Sequence, residues 1–220
     1  MAQIAEDLFL LLLDNASAQP VLDRHRRERV LSAAVLLDLA HACRIRPSVD
    51  GEAVEPGRLI ALAVPGSMDP IVEPAFQLLQ RRPLRPRTAL KRLAKHTESH
   101  IAEHLERTGQ IRCIPLPDKR FGHEFAWPLT NRDRVGQARS ALLSALFDRR
   151  PPAPSTAAIV SLLHAVDGLG ALLSLNDRGW RWVHARAGEI ALGSWVDEYQ
   201  TGLPDVNLAV TASALRPALS

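Results

Sequence analysis

Arg87, Lys91 and Lys95 recur at i, i+4 and i+8, a spacing that puts three cations on one side of a helix. Arg92 flanks them. No Asp or Glu occurs between Glu73 and Glu98, so sequence neighbours do not cancel the charge. A second cluster, Arg24, Arg26, Arg27 and Arg29, is moderated by Asp23 and Glu28. Cations in this arrangement hold anions, phosphate oxygens above all, and Arg does so through a bidentate fork. Beside an anionic surface each contributes about 1 kcal/mol, so four give roughly 4 kcal/mol. That is enough for weak, salt-sensitive attachment; tighter binding needs a shaped headgroup pocket. The plain alternative is a helix face that meets only water.

Other chemistry is thinner. His96, His100 and His104 share the i, i+4, i+8 spacing, and two such His can share a metal. HTESH lacks the Glu position of HExxH, and nothing nearby completes a site, so the expectation is a surface stripe and no metal. Cys43 and Cys113 fit no metal or disulfide spacing and read as buried thiols, which points to a reducing compartment. There is no GxSxG, no P-loop and no glycine fingerprint after a strand. The expectation is a non-enzymatic protein without a cofactor. Trp180, Trp182, Trp195 and Tyr199 read as packing anchors in a helical region. Phe121 differs: it stands at a hairpin turn between Lys119, Arg120 and His123, where an apolar ring can dip into a membrane or a partner.

The elements that must carry these residues are mostly helical. Of 220 residues 46% are apolar, enough for a sizeable core. The formal charge is only +3, so clustering matters more than net charge. Arg outnumbers Lys 24 to 3, which codon usage in a GC-rich genome explains without function. Residues 3–14 read as a short apolar helix. Residues 24–43 read as a central buried helix, with Leu31, Val35, Leu36, Leu39 and Cys43 at helical spacing. Residues 44–48 and 58–64 read as paired strands. A helix follows over 69–80. Helical stretches from Thr88 onward end at Gly109, and a hairpin spans 110–127. Thr130 or Asn131 caps a helix to about Phe147. RRPPAPS (149–155) is the clearest internal linker. Ser155 caps an apolar helix to about Leu173, in which Gly168 and Gly170 allow close packing, and 178–220 gives two more helices. The expected class is mainly α, a single helical domain over 1–220 with short β-hairpins, one of them projecting. LFLLLL (8–13) is too short to span a bilayer and lacks a basic flank, so a cytoplasmic protein with at most peripheral membrane contact is expected.

The order of these pieces resembles the Golgi phosphoprotein 3 family. AEDLFLLLLDN (5–15) resembles its acidic-then-leucine opening helix. LSAAVLLDLAHACRI (31–45) resembles its central helix, and SHIAEHLERTGQI with the hairpin and WPLTNRD (99–133) resembles its helix–hairpin–Pro segment. HAVDGLGALL (164–173) fits a later apolar helix. The resemblance implies a helical, non-catalytic adaptor that binds phosphatidylinositol 4-phosphate on a basic face and uses its hairpin in self-association or membrane contact. It also implies lipid-site positions. One falls on Lys95 and keeps its charge. Another falls on Glu98 and reverses it. The headgroup Trp falls near Asp23, and a central-helix Arg falls on Ser32. The segment before the basic helix is RRPLRPR here, so Arg24, Arg29, Arg87 and Lys91 are expected to supply the charge.

Three readings follow. The first is a peripheral protein on the inner membrane face, with Arg24, Arg87, Lys91 and Lys95 on phosphates of an anionic, phosphoinositide-like phospholipid and Phe121 aiding insertion. The second is a winged helix–turn–helix on nucleic acid, with ESHIAEHLERTG as recognition helix and PDKRFG as wing tip, although Glu98, Glu103 and Glu106 would repel phosphates. The third is an interaction scaffold that binds neither and forms a homo-oligomer through the 110–127 hairpin.

Overall fold

The computed structural model describes residues 3–116, 125–197 and 201–219. Its centre is α2 (Arg24–His41), in which every residue from Val30 to Ala40 is buried. A helix that is apolar all round beyond its basic first turn must be enclosed by other elements. Here α1 (Gln3–Leu11), α4 (Pro86–Arg107), α6 (Pro154–Ala165) and α9 (Leu203–Leu215) enclose it. An outer set packs on these: α3 (Glu73–Arg81), α5 (Arg132–Phe147), α7 (Asp177–Ala191) and the short α8 (Ser194–Asp197). The strands form two antiparallel hairpins. β1 (Ile45–Pro47) pairs with β2 (Leu59–Ala61), Ile45 opposite Ala61; β3 (Ile114–Pro115) pairs with β4 (Phe125–Ala126), Ile114 opposite Ala126. The chain is thus mainly α, a single helical domain with two small hairpins.

One buried carboxylate ties the first two helices together. The first N–H groups of any helix lack an internal partner. In α1 those of Ile4 and Ala5 donate to Asp38 of α2, both at 2.9 Å. Burial pushes the Asp38 carboxyl up to about 8, against the pull of these two donors. At the other end of α2, Asn207 Nδ2 of α9 donates to the carbonyls of Ala40 and Ile45 at 2.6 and 2.8 Å.

Several boundaries differ from the sequence reading, each for a local reason. α3 starts at Glu73 instead of 69, because the Asp69 carboxylate accepts from Ile71 N and holds a turn there; Pro74, not Pro70, fills the first helical turn. The helical stretches before Gly109 are one 22-residue helix. Pro86 starts it without losing a needed donor, and Gly109 stops it in the left-handed region at φ +71°. α6 begins at Pro154 after an Ala153 N-cap and ends at Ala165, not Leu173. Asp167 turns left-handed, Gly168 N donates to Leu163 O, and a 3-10 turn follows over Leu169–Ala171. Gly168 therefore sits in a helix stop, where a Cβ would meet Val166 Cγ2 at 3.2 Å. Among the described residues the tail holds three helices, not two, since Gly193 separates α7 from α8. Cys43 and Cys113 are half-buried, not buried.

Candidate functional site: a basic cavity between α2 and α4

Because 86–107 is one helix, Arg87, Lys91 and Lys95 rise on one side of it. That side faces the first turns of α2. Between the two lies a cavity of about 540 Å³, whose cationic lining is Arg24, Arg29, Arg87, Lys91 and Lys95. His25 adds a ring nitrogen. Buried Leu90 forms an apolar floor, and Ala94 and Ala218 keep the walls low. Glu28 is the one carboxylate among the described lining residues, and Arg24 Nε bonds it at 2.7 Å. Five permanent cations against one carboxylate leave a large positive excess. Such a site can hold phosphate oxygens through several directed donors.

The packing below the cavity explains how the cations are presented. α2 and α4 meet at two hydroxyls 3.5 Å apart, Ser32 Oγ and Thr97 Oγ1. Each donates back into its own helix, to Glu28 O and Leu93 O, at 2.8 Å. Beyond this crossing Arg27 Nε donates to Glu98 Oε1 at 2.8 Å, and Arg27 Nη1 donates to Leu22 O at 2.7 Å. The Arg27 side chain is 7% exposed and that of Glu98 18%. Arg27 therefore belongs to the core, not to a solvated basic cluster. Its spacing from Val30 and Leu31, at i+3 and i+4, is the sequence signal that it shares their apolar face.

All four cations singled out from sequence as phosphate contacts, Arg24, Arg87, Lys91 and Lys95, line this one cavity, with Arg29 beside them. The positions transferred from the family resemblance divide differently. Lys95 lines the cavity. Ser32 is fully buried in the helix crossing. Glu98 is consumed by Arg27, so its reversed charge is neutralised locally. Asp23 is the N-cap of α2; its carboxylate accepts from Arg26 Nε and, at 3.0 Å, from Arg26 N, which together hold it below the usual carboxylate range. Phe121, with Lys119, Arg120 and His123, lies outside the described residues.

The remaining motifs settle into structural places. The His96 and His100 rings stack at 6.2 Å. His104 departs from the expected surface stripe: it is half-buried, 3.6 Å from Glu6 Oε1. Among the described residues no group of three or more His, Cys, Asp or Glu could hold a metal ion. Trp195 is buried and Trp180 packs on the core, as anchors do. Trp182 is half exposed and carries the Arg149 guanidinium 4.9 Å from its ring centre. Tyr199 is outside the described residues.

A second cleft, of about 520 Å³, opens where α1, α5 and α6 meet. Its cation is paired internally: Arg134 Nε donates to Asp7 Oδ1 at 2.7 Å, and Arg134 Nη1 donates to Glu6 Oε2, just behind the lining, at 2.5 Å. No cation excess is left over there.

The acidic-then-leucine α1, the buried α2 that ends in a strand, and a long α4 that runs into a hairpin follow one another over most of the chain. The family model for Golgi phosphoprotein 3 (GPP34) matches residues 4–202. The chain belongs to that family. No curated protein matches it. The family match covers α1 through α8, including both helical walls of the basic cavity, while α9 and Ala218 lie beyond residue 202. No helix among the described residues is long and apolar enough to cross a membrane.

Proposed function

We propose that this Golgi phosphoprotein 3 family member is a non-enzymatic peripheral membrane adaptor whose α2/α4 cavity binds the phosphates of an anionic phospholipid headgroup, on the inner membrane face. The observation that carries it is the convergence of Arg24, Arg29, Arg87, Lys91 and Lys95 on one cavity, with Glu28 the one carboxylate among its described lining residues. The ligand implied by the family resemblance is phosphatidylinositol 4-phosphate. The cation set differs from the family positions, so the ligand class argued from these residues is a phosphorylated headgroup held by charge and by Arg forks. Liposome cosedimentation across a salt series tests the reading. Pelleting with anionic vesicles that falls steeply with salt is expected; equal, negligible pelleting with neutral and anionic vesicles at low salt would falsify it.

One observation works against the nucleic-acid alternative. A helix–turn–helix needs a turn before its recognition helix, and 86–107 is continuous. A different observation favours self-association through the second hairpin: Ile114 is 47% and Phe125 39% exposed at its base. Light scattering of the wild type and of Ile114→Asp reads this out, with a smaller species expected for the variant. An unchanged mass would remove the hairpin from any oligomer.

A further inference from the structure

A second, smaller set of basic side chains lies on the face of α4 turned towards α3. Arg92 and His96 each follow a cavity lysine by one residue, so they stand about 100° further round the helix. His100 continues their row one turn on. Arg81, in the last turn of α3, faces them across a groove of about 240 Å³. The floor is apolar, from half-buried Leu78 and buried Leu93. Thr97 also lines it, but its hydroxyl is spent on Leu93 O at 2.8 Å. The row of bases stops at His100, because His104 turns to Glu6 of α1, 3.6 Å away.

Charge decides what this groove can hold. Two His at i, i+4 could share a metal ion, but two guanidiniums line the same groove and would repel it. No carboxylate stands among the described lining residues. Glu73 of α3 is outside the lining and accepts from Gln77 Nε2 at 3.1 Å; Glu103 of α4 lies one turn beyond His100, also outside it. Elsewhere on the surface guanidiniums find carboxylates, as Arg26 does in Asp23, Arg46 in Glu52 and Arg58 in Glu55. Arg81 and Arg92 form no ion pair among the described residues. The rings of His96 and His100 stack at 6.2 Å and 20°, so any charge they take up adds to that of the two arginines. Guanidinium forks and ring N–H groups on two sides of a groove suit a tetrahedral oxyanion. At less than half the volume of the α2/α4 cavity, the groove fits one phosphoryl group better than a multiply phosphorylated ring.

We propose that the α3/α4 groove is a second anion site, in which Arg81, Arg92, His96 and His100 hold the phosphoryl group of a phosphate monoester. The imidazole proton signals of the full chain, followed by NMR as inorganic phosphate is added, test it. His96→Gln and His100→Gln assign the two signals. His25 lines the α2/α4 cavity and reports that site in the same spectra. Saturating shifts are expected at His96 and His100, with the apparent affinity lowered about tenfold by Arg81→Gln/Arg92→Gln. Both arginines are exposed, so this variant is expected to keep the fold. Unsaturable shifts of equal size at His96, His100 and exposed His184 would be ionic screening alone and would overturn the inference. Shifts at His25 only would overturn it too, and leave the cavity reading standing. A response of His96 and His100 to zinc chloride but not to phosphate would make them a metal pair instead. Pelleting with phosphatidylcholine vesicles that contain phosphatidic acid then tells the source of the phosphate. Weaker pelleting of Arg81→Gln/Arg92→Gln assigns the groove to a lipid headgroup. Unchanged pelleting with lost phosphate binding assigns it to a soluble phosphate ester.

Discussion

Two clefts of nearly equal volume, 540 and 520 Å³, open on this molecule, and their charges are arranged in opposite ways. In the α1/α5/α6 cleft the cation Arg134 faces two carboxylates that hardly see solvent, Glu6 and Asp7 at 6% and 12% side-chain exposure. Its electrostatics are closed, and its ion pairs tie α5 to α1. Among the described residues lining the α2/α4 cavity, five cations face one carboxylate, which Arg24 already bonds, so its electrostatics are more open. Volume does not distinguish the two clefts; the balance of charge does.

The largest expected effect falls on the closed cleft. Arg134→Ala strands two buried carboxylates and should lower stability by about 4 kcal/mol in chemical denaturation, with the folded fraction still pelleting with anionic vesicles. A stable Arg134→Ala protein that no longer pellets would reverse the roles of the clefts. Next comes the open cavity. Combined Ala substitution of Arg87, Lys91 and Lys95 removes about 3 kcal/mol of surface attraction, roughly a hundredfold in vesicle partition, and leaves the denaturation midpoint near that of the wild type. Loss of fold instead of partition would mean these cations brace the helices. Glu98→Lys sharpens the comparison between them. It restores the charge expected from the family resemblance but sets it against buried Arg27. The expected result is about 2 kcal/mol lost stability and no gain in vesicle binding; tighter binding at unchanged stability would show that position 98 reaches the ligand.

The smallest effect concerns pH. The side chain of Arg46 and the Val49 N–H bond the Glu52 carboxylate and bring it from its ordinary value of 4.5 down to about 2. A depressed carboxyl stabilises the fold above its unfolded value, and that contribution fades as pH falls from 4.5 towards 2. Glu52→Gln should therefore shed part of the stability loss across this window, seen as a shallower fall in melting temperature on acidification. An unchanged slope would assign the acid sensitivity to other groups.

Much of this was legible in the sequence because single helices carry it. The i, i+4, i+8 spacing of Arg87, Lys91 and Lys95 needs only the helical period, and the apolar run of 30–40 needs only burial. That Arg24 and Arg29 would face those cations across a cavity depends on how α2 crosses α4, which no local pattern contains. The Arg27–Glu98 pair was missed for the same reason: partners 71 residues apart look like unrelated surface charges until the crossing is known. The end of α6 was misplaced because Asp167 adopts a left-handed conformation that its residue type only weakly signals.

The bonds from Asn207 to Ala40 and Ile45 join positions more than 160 residues apart. On a ribosome, the first forty-odd residues emerge long before the partner that closes them. The central helix of the molecule then waits, with α9 unmade, for almost the whole of synthesis. A premature stop just before Leu203 would release a chain whose central helix is uncovered along the side α9 occupies. Such a product is expected to be taken up by chaperones or to aggregate, even though it would retain all of the family-matched sequence and both helical walls of the cavity.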